Sequence, residues 1–136
     1  MKVLDASALL ELIVGTSAGL AVADELEDAN DSVYVPHLAD VEVLQALRRL
    51  VADGVISEEH AREALDDLQS LDLFRHAHEP LLERMWALRK NLSAYDAAYV
   101  SLTEVLDGTL VTCDKRLARA PKIGGAVKVI SASTRR

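Results

Sequence analysis

Short apolar runs alternate with longer segments of helical periodicity along this chain of 136 residues. A short apolar run bounded by polar or turn residues is typical of a buried strand, and apolar positions spaced three or four apart are typical of a helix with one buried face. Strands are predicted at residues 2–4, 32–35, 71–77, 109–114 and 127–131. Helices are predicted at residues 6–14, 17–29, 37–54, 57–71, 79–91, 93–108 and 114–120.

The alternation of strands with helices favours an α/β fold. Strand–helix–strand units place successive strands parallel, and the helices then cover both faces of the sheet. We therefore predict a single three-layer α/β/α domain over residues 1–136, with a mostly parallel central sheet of about five short strands. Gly54 and Gly108 are predicted to end two of the helices.

The helix predicted at residues 79–91 carries an apolar stripe. Its positions recur at helical spacing, which is typical of a face that packs in the core or against a second copy of the chain. Trp86, on the same helix, is expected to anchor that packing. The members of the stripe are Leu81, Leu82, Met85 and Leu88.

Composition narrows the class of protein. Half of the residues are hydrophobic but only 4% are aromatic, so the core must consist of Leu, Val and Ala. Cys113 is the single cysteine, which excludes an internal disulfide and a thiolate metal cage. No segment approaches the roughly 18 apolar residues of a membrane span, and the N-terminus lacks the apolar core of a signal peptide. The chain is therefore expected in the cytoplasm, away from membranes.

The charge distribution is uneven. The net charge of −7 argues against a general nucleic-acid coat protein, because sequence-independent binding depends on Lys and Arg. Residues 53–83 hold nine acids and two bases, whereas residues 111–136 hold seven bases and one acid. Both segments are equally well explained as solvated surface. We expect no direct sequence-specific DNA binding.

Four acidic residues are predicted to meet at one edge of the sheet. Asp5 ends the first strand and Asp114 ends the strand at residues 109–114, so both carboxylates extend from the same edge if these strands are parallel neighbours. The helix that begins near Asp96 extends about 16 Å away from this edge, and the following strand returns by about the same distance. Asp96 is therefore predicted to lie level with Asp114. Glu42 lies about one turn into its helix, at the border of the apolar face. Asp40 faces elsewhere and is interpreted as favouring the helix dipole.

Each acid also has a purely structural explanation. Asp5 and Asp114 are good helix caps, Asp96 fits a capping box with Ser93, and Glu42 fits an ordinary border position. Together, however, four neighbouring carboxylates repel one another unless a cation neutralises them. Oxygen ligands without cysteine favour Mg²⁺ or Mn²⁺, and such a site supports phosphodiester hydrolysis.

Four segments of the sequence resemble one known family. In order along the chain, VLDASAL, PHLADVEVLQALRR, NLSAYDAAYVSLTEVL and LVTCDKRLA resemble the PIN-domain nucleases, and specifically the VapC-type toxins of toxin–antitoxin pairs. The resemblance implies a PIN-like fold and a Mg²⁺-dependent endoribonuclease, with Mn²⁺ as an alternative metal. The catalytic and metal-binding acids that it implies are Asp5, Glu42, Asp96 and Asp114.

The same resemblance implies further site residues and partners. Ser7 and Thr112 match positions that support the acids by hydrogen bonding. A homodimer, a cognate antitoxin in a groove of the N-terminal helices, and structured RNA such as transfer RNA are implied. Arg116 and Arg119, about one helical turn apart beyond the acidic edge, are candidates for binding RNA phosphates and are equally well explained as surface residues.

Two other functions remain open from the residues alone. Asp5 at a strand end also suits an aspartyl-phosphate phosphotransferase, although Ser7 stands where the commonest phosphatase pattern has a second aspartate. A non-catalytic interaction module, whose acidic pocket receives a partner's arginine, is the second alternative.

Overall fold

The computed structural model of the chain describes residues 1–27, 32–118 and 126–130, and every predicted strand and helix has a counterpart within them. The strands are β1 (Lys2–Leu4), β2 (Val33–Pro36), β3 (Leu73–His76), β4 (Thr109–Thr112) and β5 (Ala126–Val129). The helices are α1 (Ala6–Val14), α2 (Ser17–Glu25), α3 (Leu38–Ala52), α4 (Glu58–Ser70), α5 (Leu82–Ala87), α6 (Ala94–Leu106) and α7 (Lys115–Ala118).

The five strands form one parallel sheet in the order β3-β2-β1-β4-β5. The central strand β1 pairs with β2 through Val3 and Tyr34, and with β4 through Leu4 and Val111. Because every neighbouring pair is parallel, the carboxyl ends of all five strands lie along one edge. We call this the C-terminal edge of the sheet; ligands bind at this edge in open α/β folds.

Helices cover the sheet in two groups. Helix α1 packs against α2, α3 and α4, whereas α6 packs against α5 and against β1, β2 and β4. The core is aliphatic, as the composition predicts, and its fully buried side chains include Val3, Leu4, Leu9, Val43, Leu102 and Leu110. The predicted three-layer α/β/α architecture with a parallel five-stranded sheet is confirmed.

Three predicted segments extend past the described residues. Helix α2 ends at Glu25, and the last residues of the helix predicted at 17–29 lie outside the described ranges. The same holds for the ends of the helix predicted at 114–120 and of the strand predicted at 127–131.

The segment at residues 79–91 differs from the single helix that the sequence predicts. It forms a 3₁₀ turn at Glu79–Leu81, followed by the short helix α5, which ends at Ala87. Trp86 does not anchor the core: it is 66% exposed, and the guanidinium of Arg89 lies 4.4 Å from the centre of its ring. Arg89 donates both its side chain and its backbone N–H to the carbonyl of Trp86, so the chain after α5 continues in a tight turn instead of an α-helix.

Asp107, rather than Gly108, ends helix α6. Asp107 adopts the left-handed conformation (φ 50°), which Asp tolerates better than most residues. Gly108 is needed for a different reason: a Cβ atom there would lie 2.7 Å from the carbonyl oxygen of Met1. The missing side chain thus lets β4 begin directly beside β1. Gly54 (φ 71°) follows α3, as predicted.

Within the described ranges, no single helix is long and apolar enough to cross a membrane. Helices α1 and α2 pass the test of length and composition only as a pair, with a bend of 113° between them.

Candidate active site at the C-terminal edge

Two of the four predicted acids extend from adjacent strands at the C-terminal edge. Asp5 directly follows β1, and its N–H donates to the carbonyl of Val111 in β4 at 3.2 Å. Asp114 lies two residues beyond the end of β4. The parallel pairing of β1 and β4 therefore brings both residues to one edge.

Asp5 is almost fully enclosed, with 4% of its surface exposed. Its Oδ1 accepts the N–H of Ala8 at 3.0 Å, which caps helix α1, and the hydroxyl of Ser7 at 2.7 Å. Its Oδ2 accepts the hydroxyl of Thr112 at 2.5 Å. Burial raises the pKa of Asp5 above its ordinary value, and these hydrogen bonds only partly oppose the shift. Asp5 thus caps helix α1, and the burial of its negative charge destabilises the folded state.

The same two hydroxyl groups position the loop after β4. Thr112 Oγ1 accepts the N–H of Asp114 at 2.9 Å, and Ser7 Oγ accepts the N–H of Cys113 at 2.9 Å. The two hydroxyl oxygens lie 3.3 Å apart. Ser7 and Thr112 therefore contact Asp5 on one side and the backbone that carries Asp114 on the other.

Asp114 forms an ion pair with Arg116. Arg116 donates its backbone N–H to Oδ1 at 2.9 Å and its Nη2 to Oδ2 at 2.7 Å. These hydrogen bonds lower the pKa of Asp114 below its ordinary value. Arg116, which the sequence offers as a candidate for binding RNA phosphates, is thus paired with Asp114, a candidate metal ligand. Arg119, the other residue considered for that role, lies outside the described residues.

Glu42 is oriented by a residue that the sequence analysis missed. Tyr99, on α6, is 1% exposed and donates its hydroxyl to Glu42 Oε1 at 2.6 Å. Burial is the main cause that raises the pKa of Tyr99, and the hydrogen bond with Glu42 raises it further. The phenol therefore stays protonated and remains a hydrogen-bond donor. A sequence signal did exist, because Tyr99 lies three residues after Asp96 and so shares its helix face.

Burial also raises the pKa of Glu42 above its ordinary value. The hydrogen bond from Tyr99 lowers the pKa, while the negative charges of Asp96 and Asp5 raise it further. A half-buried carboxylate with this shift takes up a proton more readily than an exposed glutamate does.

Asp96 lies in the first turn of α6. Its N–H donates to Ser93 Oγ at 3.1 Å, which is the capping contact that the sequence predicts. Burial raises the pKa of Asp96, and the negative charge of Asp114 adds to the shift. The hydrogen bond with Ser93 and the positive charge of Arg116 lower it in part.

Electrostatic coupling connects the four acids. The charge of Asp96 contributes to the raised pKa of both Asp5 and Glu42, and Asp114 acts on Asp96. In the described part of the chain, no three acidic, imidazole or thiol groups are close enough to form a complete cation cage. The donor set fits Mg²⁺, which takes only one or two carboxylates and keeps several waters for a substrate to replace.

Asp40 is not part of this group. It lies in the first turn of α3, but its carboxylate accepts two hydrogen bonds from the guanidinium of Arg75, at 2.7 and 3.0 Å. Asp40 therefore connects α3 to β3, in addition to the favourable interaction with the helix dipole that the sequence suggests.

Comparison with known proteins places the chain in a family. The model of the PIN domain matches residues 2–123. The chain belongs to the PIN-domain family. This PIN-domain protein is 44% identical over 129 residues to Ribonuclease VapC1 of Mycobacterium tuberculosis (strain ATCC 25618 / H37Rv), covering 94% of this chain and 96% of that protein. It is 37% identical to Ribonuclease VapC12 of the same strain over 131 residues, covering 96% and 100%. It is therefore a member of the VapC group, as the sequence motifs predict.

Solved structures support the fold of this PIN-domain protein. The structure of VapBC2 from Rickettsia felis, bound to a DNA fragment from their promoter, matches with a TM-score of 0.68 at 16% identity, covering 94% of this chain and 97% of that chain. PAE2754 from Pyrobaculum aerophilum matches with a TM-score of 0.65 at 26% identity, covering 95% and 83%.

Proposed function

We propose that this protein is a Mg²⁺-dependent endoribonuclease toxin that cleaves structured RNA such as transfer RNA. Relatives named as ribonucleases, at 37–44% identity, support the reaction class. The observation that carries the proposal is that Thr112 binds both Asp5 and the backbone of Asp114 at the C-terminal edge, and that the charge of Asp96 acts on Asp5 and Glu42. Such an acidic group is costly to an isolated fold and becomes favourable when a cation binds.

The proposed metal-binding atom of Asp5 is Oδ2. Among the described residues, Oδ1 already accepts hydrogen bonds from Ala8 and Ser7, whereas Oδ2 accepts only the one from Thr112. A carboxylate oxygen has two lone-pair directions, so Oδ2 keeps one for a ligand. Asp96, which is less buried, is the other principal ligand in this proposal.

Asp5 and Asp96 would hold a divalent cation, Mg²⁺ or alternatively Mn²⁺, which would supply polarisation of a phosphoryl oxygen and a lower pKa of bound water. Glu42 has one oxygen fixed by Tyr99, so its other oxygen is positioned to orient the attacking water and accept its proton. Asp114 completes the acidic group and holds Arg116 beside it. When an RNA phosphate enters the site, Arg116 is positioned to leave the carboxylate of Asp114 and bind a phosphate oxygen instead.

A cognate antitoxin is the proposed partner that keeps the toxin inactive. VapC-group membership supports this pairing, and we propose that the antitoxin occupies a groove of the N-terminal helices. We place the action in the cytoplasm, where transfer RNA is found. The acidic C-terminal edge also gives no support for direct sequence-specific DNA binding by this chain.

We further propose a homodimer. Leu82 and Trp86 are 49% and 66% exposed, and they border an apolar pocket beside α5. Such a patch is suited to cover by a second copy of the chain. Sedimentation of the purified protein should give a dimer, and a Trp86→Glu variant should give a monomer.

One observation supports a second candidate function. The guanidinium of Arg116 already pairs with Asp114 at the acidic edge, and a non-catalytic module that binds a partner's arginine would use the same kind of contact. Calorimetry that finds no Mg²⁺ or Mn²⁺ binding, together with tight binding of an arginine-bearing peptide, would favour this module. The aspartyl-phosphate alternative has less support, since Asp5 is buried and both its oxygens accept hydrogen bonds.

The deciding experiment compares RNA cleavage in three tubes. Purified protein is incubated with total RNA in Mg²⁺, in Mg²⁺ with a chelator, and as the Asp5→Asn variant in Mg²⁺. We expect cleavage only in the first tube, and sequencing of the new 5′ ends then identifies the RNA. Equal cleavage in all three tubes would overturn the proposal.

A further inference from the structure

A groove of about 360 Å³ extends from the acidic edge along helix α3. It begins at Glu42 and reaches the last turn of α3, with the start of α6 on its other side. Because Glu42 itself lines the groove, and Tyr95 on its other side directly precedes Asp96, the groove borders the candidate active site. Its lining residues are Val41, Glu42, Gln45, Ala46, Arg49 and Tyr95.

Arg49 places a positive charge at the far end of this groove. It lies two helical turns beyond Glu42, about 10 Å along the axis of α3. Among the described residues, four arginines form ion pairs with carboxylates: Arg62, Arg75, Arg84 and Arg116. Arg49 is exposed and forms no ion pair within that part of the chain. Its guanidinium is therefore available to an anion in the groove.

Tyr95 places an exposed aromatic ring on the other side of the groove. It directly precedes Asp96 and is 62% exposed. Other aromatic side chains are already engaged: Tyr34 stacks on Phe74 with ring centres 5.1 Å apart, and Tyr99 binds Glu42. An exposed ring next to a phosphate-cleaving site is suited to stack on a nucleic-acid base.

We propose that this groove binds the unpaired RNA nucleotide next to the scissile phosphate. Tyr95 stacks on its base, and Arg49 binds a phosphate further along the strand, too far from Glu42 to be the one that is cleaved. Gln45, one turn from Glu42, offers hydrogen bonds to the base or the ribose. The inference rests on the proposed ribonuclease function and adds a substrate subsite to it.

The test measures binding of a fluorescent single-stranded oligoadenylate by anisotropy, in Ca²⁺ and again in EDTA. Tyr95→Ala should weaken binding about fivefold or more, while Tyr95→Phe, which keeps the ring, should bind like the unchanged protein. Arg49→Ala should weaken binding several-fold and reduce the slope of log affinity against log salt by about 0.7. A merely structural role for Arg49 would leave that slope unchanged.

Arg48 provides a matched control. It lies next to Arg49 on α3 but lines a different groove, between α3 and α4. Arg48→Ala removes the same charge from the same helix turn and should change oligoadenylate affinity by less than about twofold. Thermal melting of each variant checks that the fold is retained.

Three outcomes would overturn the subsite. The first is no oligoadenylate binding by the unchanged protein in either solution, and the second is equal losses for Arg48→Ala and Arg49→Ala. The third is an oligoadenylate affinity that neither Tyr95→Ala nor Arg49→Ala changes. If the subsite fails while chelator-sensitive cleavage persists, the proposed function stands. If chelation and Asp5→Asn leave cleavage unchanged, the function fails whatever the groove binds.

Discussion

The hydroxyl of Thr112 donates to Oδ2 of Asp5, and the hydroxyl oxygen of Thr112 itself accepts the N–H of Asp114. One buried side chain on β4 therefore connects the acid that follows β1 to the backbone of the acid that follows β4. This contact couples the stability of the central sheet to the geometry of the acidic group.

A Thr112→Val substitution should lower both stability and activity. Valine has the same shape but leaves Asp5 with one donor fewer and the N–H of Asp114 without its acceptor. We expect the free energy of unfolding to fall by about 1–3 kcal/mol, as measured by urea denaturation. Thr112→Ser keeps the hydroxyl and serves as the control. A Val variant as stable and active as the Ser variant would contradict this role.

An Asp5→Asn substitution should abolish metal-dependent cleavage and raise stability at neutral pH. Burial holds the folded-state pKa of Asp5 above its ordinary value, so ionisation of Asp5 favours the unfolded state. This penalty is fully present above the folded-state pKa and disappears as the pH falls towards the ordinary value of 3.8.

The Asn variant should therefore melt at a higher temperature than the metal-free unchanged protein at about pH 8, and the difference should shrink towards about pH 4. Thermal melting at a series of pH values measures this difference. A melting-temperature difference that grows as the pH falls would contradict the prediction that ionised Asp5 destabilises the folded state.

A Tyr99→Phe substitution should shift the pH dependence of cleavage. The hydroxyl of Tyr99 lowers the pKa of Glu42, so its removal should raise that pKa further. The acid side of the pH–rate profile should then move to higher pH, with a loss of stability of about 1–2 kcal/mol. Tyr34→Phe, in the stacked pair with Phe74, is the control and should leave the profile in place. An unchanged profile for Tyr99→Phe would exclude this role for Glu42.

An Arg116→Ala substitution should separate metal binding from RNA binding. Without the guanidinium, the pKa of Asp114 returns towards its ordinary value, and no arginine competes with the metal ion for this carboxylate. We expect Mn²⁺ to bind equally well or a few-fold more tightly in calorimetry, while the KM for RNA rises. Lys115→Ala, an exposed neighbour, serves as the control. Loss of Mn²⁺ binding in Arg116→Ala would show that Arg116 supports the metal site instead.

Much of the fold could be predicted from local patterns. The caps formed by Asp5 and Ser93 involve residues three positions away, so sequence spacing is sufficient to identify them. The segment at 79–91 was predicted wrongly because its apolar spacing resembles a longer helix. Whether Trp86 packs in the core depends on how α5 meets its neighbours, and spacing within one helix does not contain that information.

The sequence by itself determined the alternation of strands and helices, the family, and the edge at which the four acids were expected, because these depend on periodicity, strand direction and local capping. Only the tertiary structure decided that the hydroxyl of Tyr99 binds Glu42, 57 residues away, and that Arg49 and Tyr95 line one groove. Such contacts depend on how closely α3 and α6 approach and on which rotamers their packing permits, and neither is encoded in the spacing along a single element.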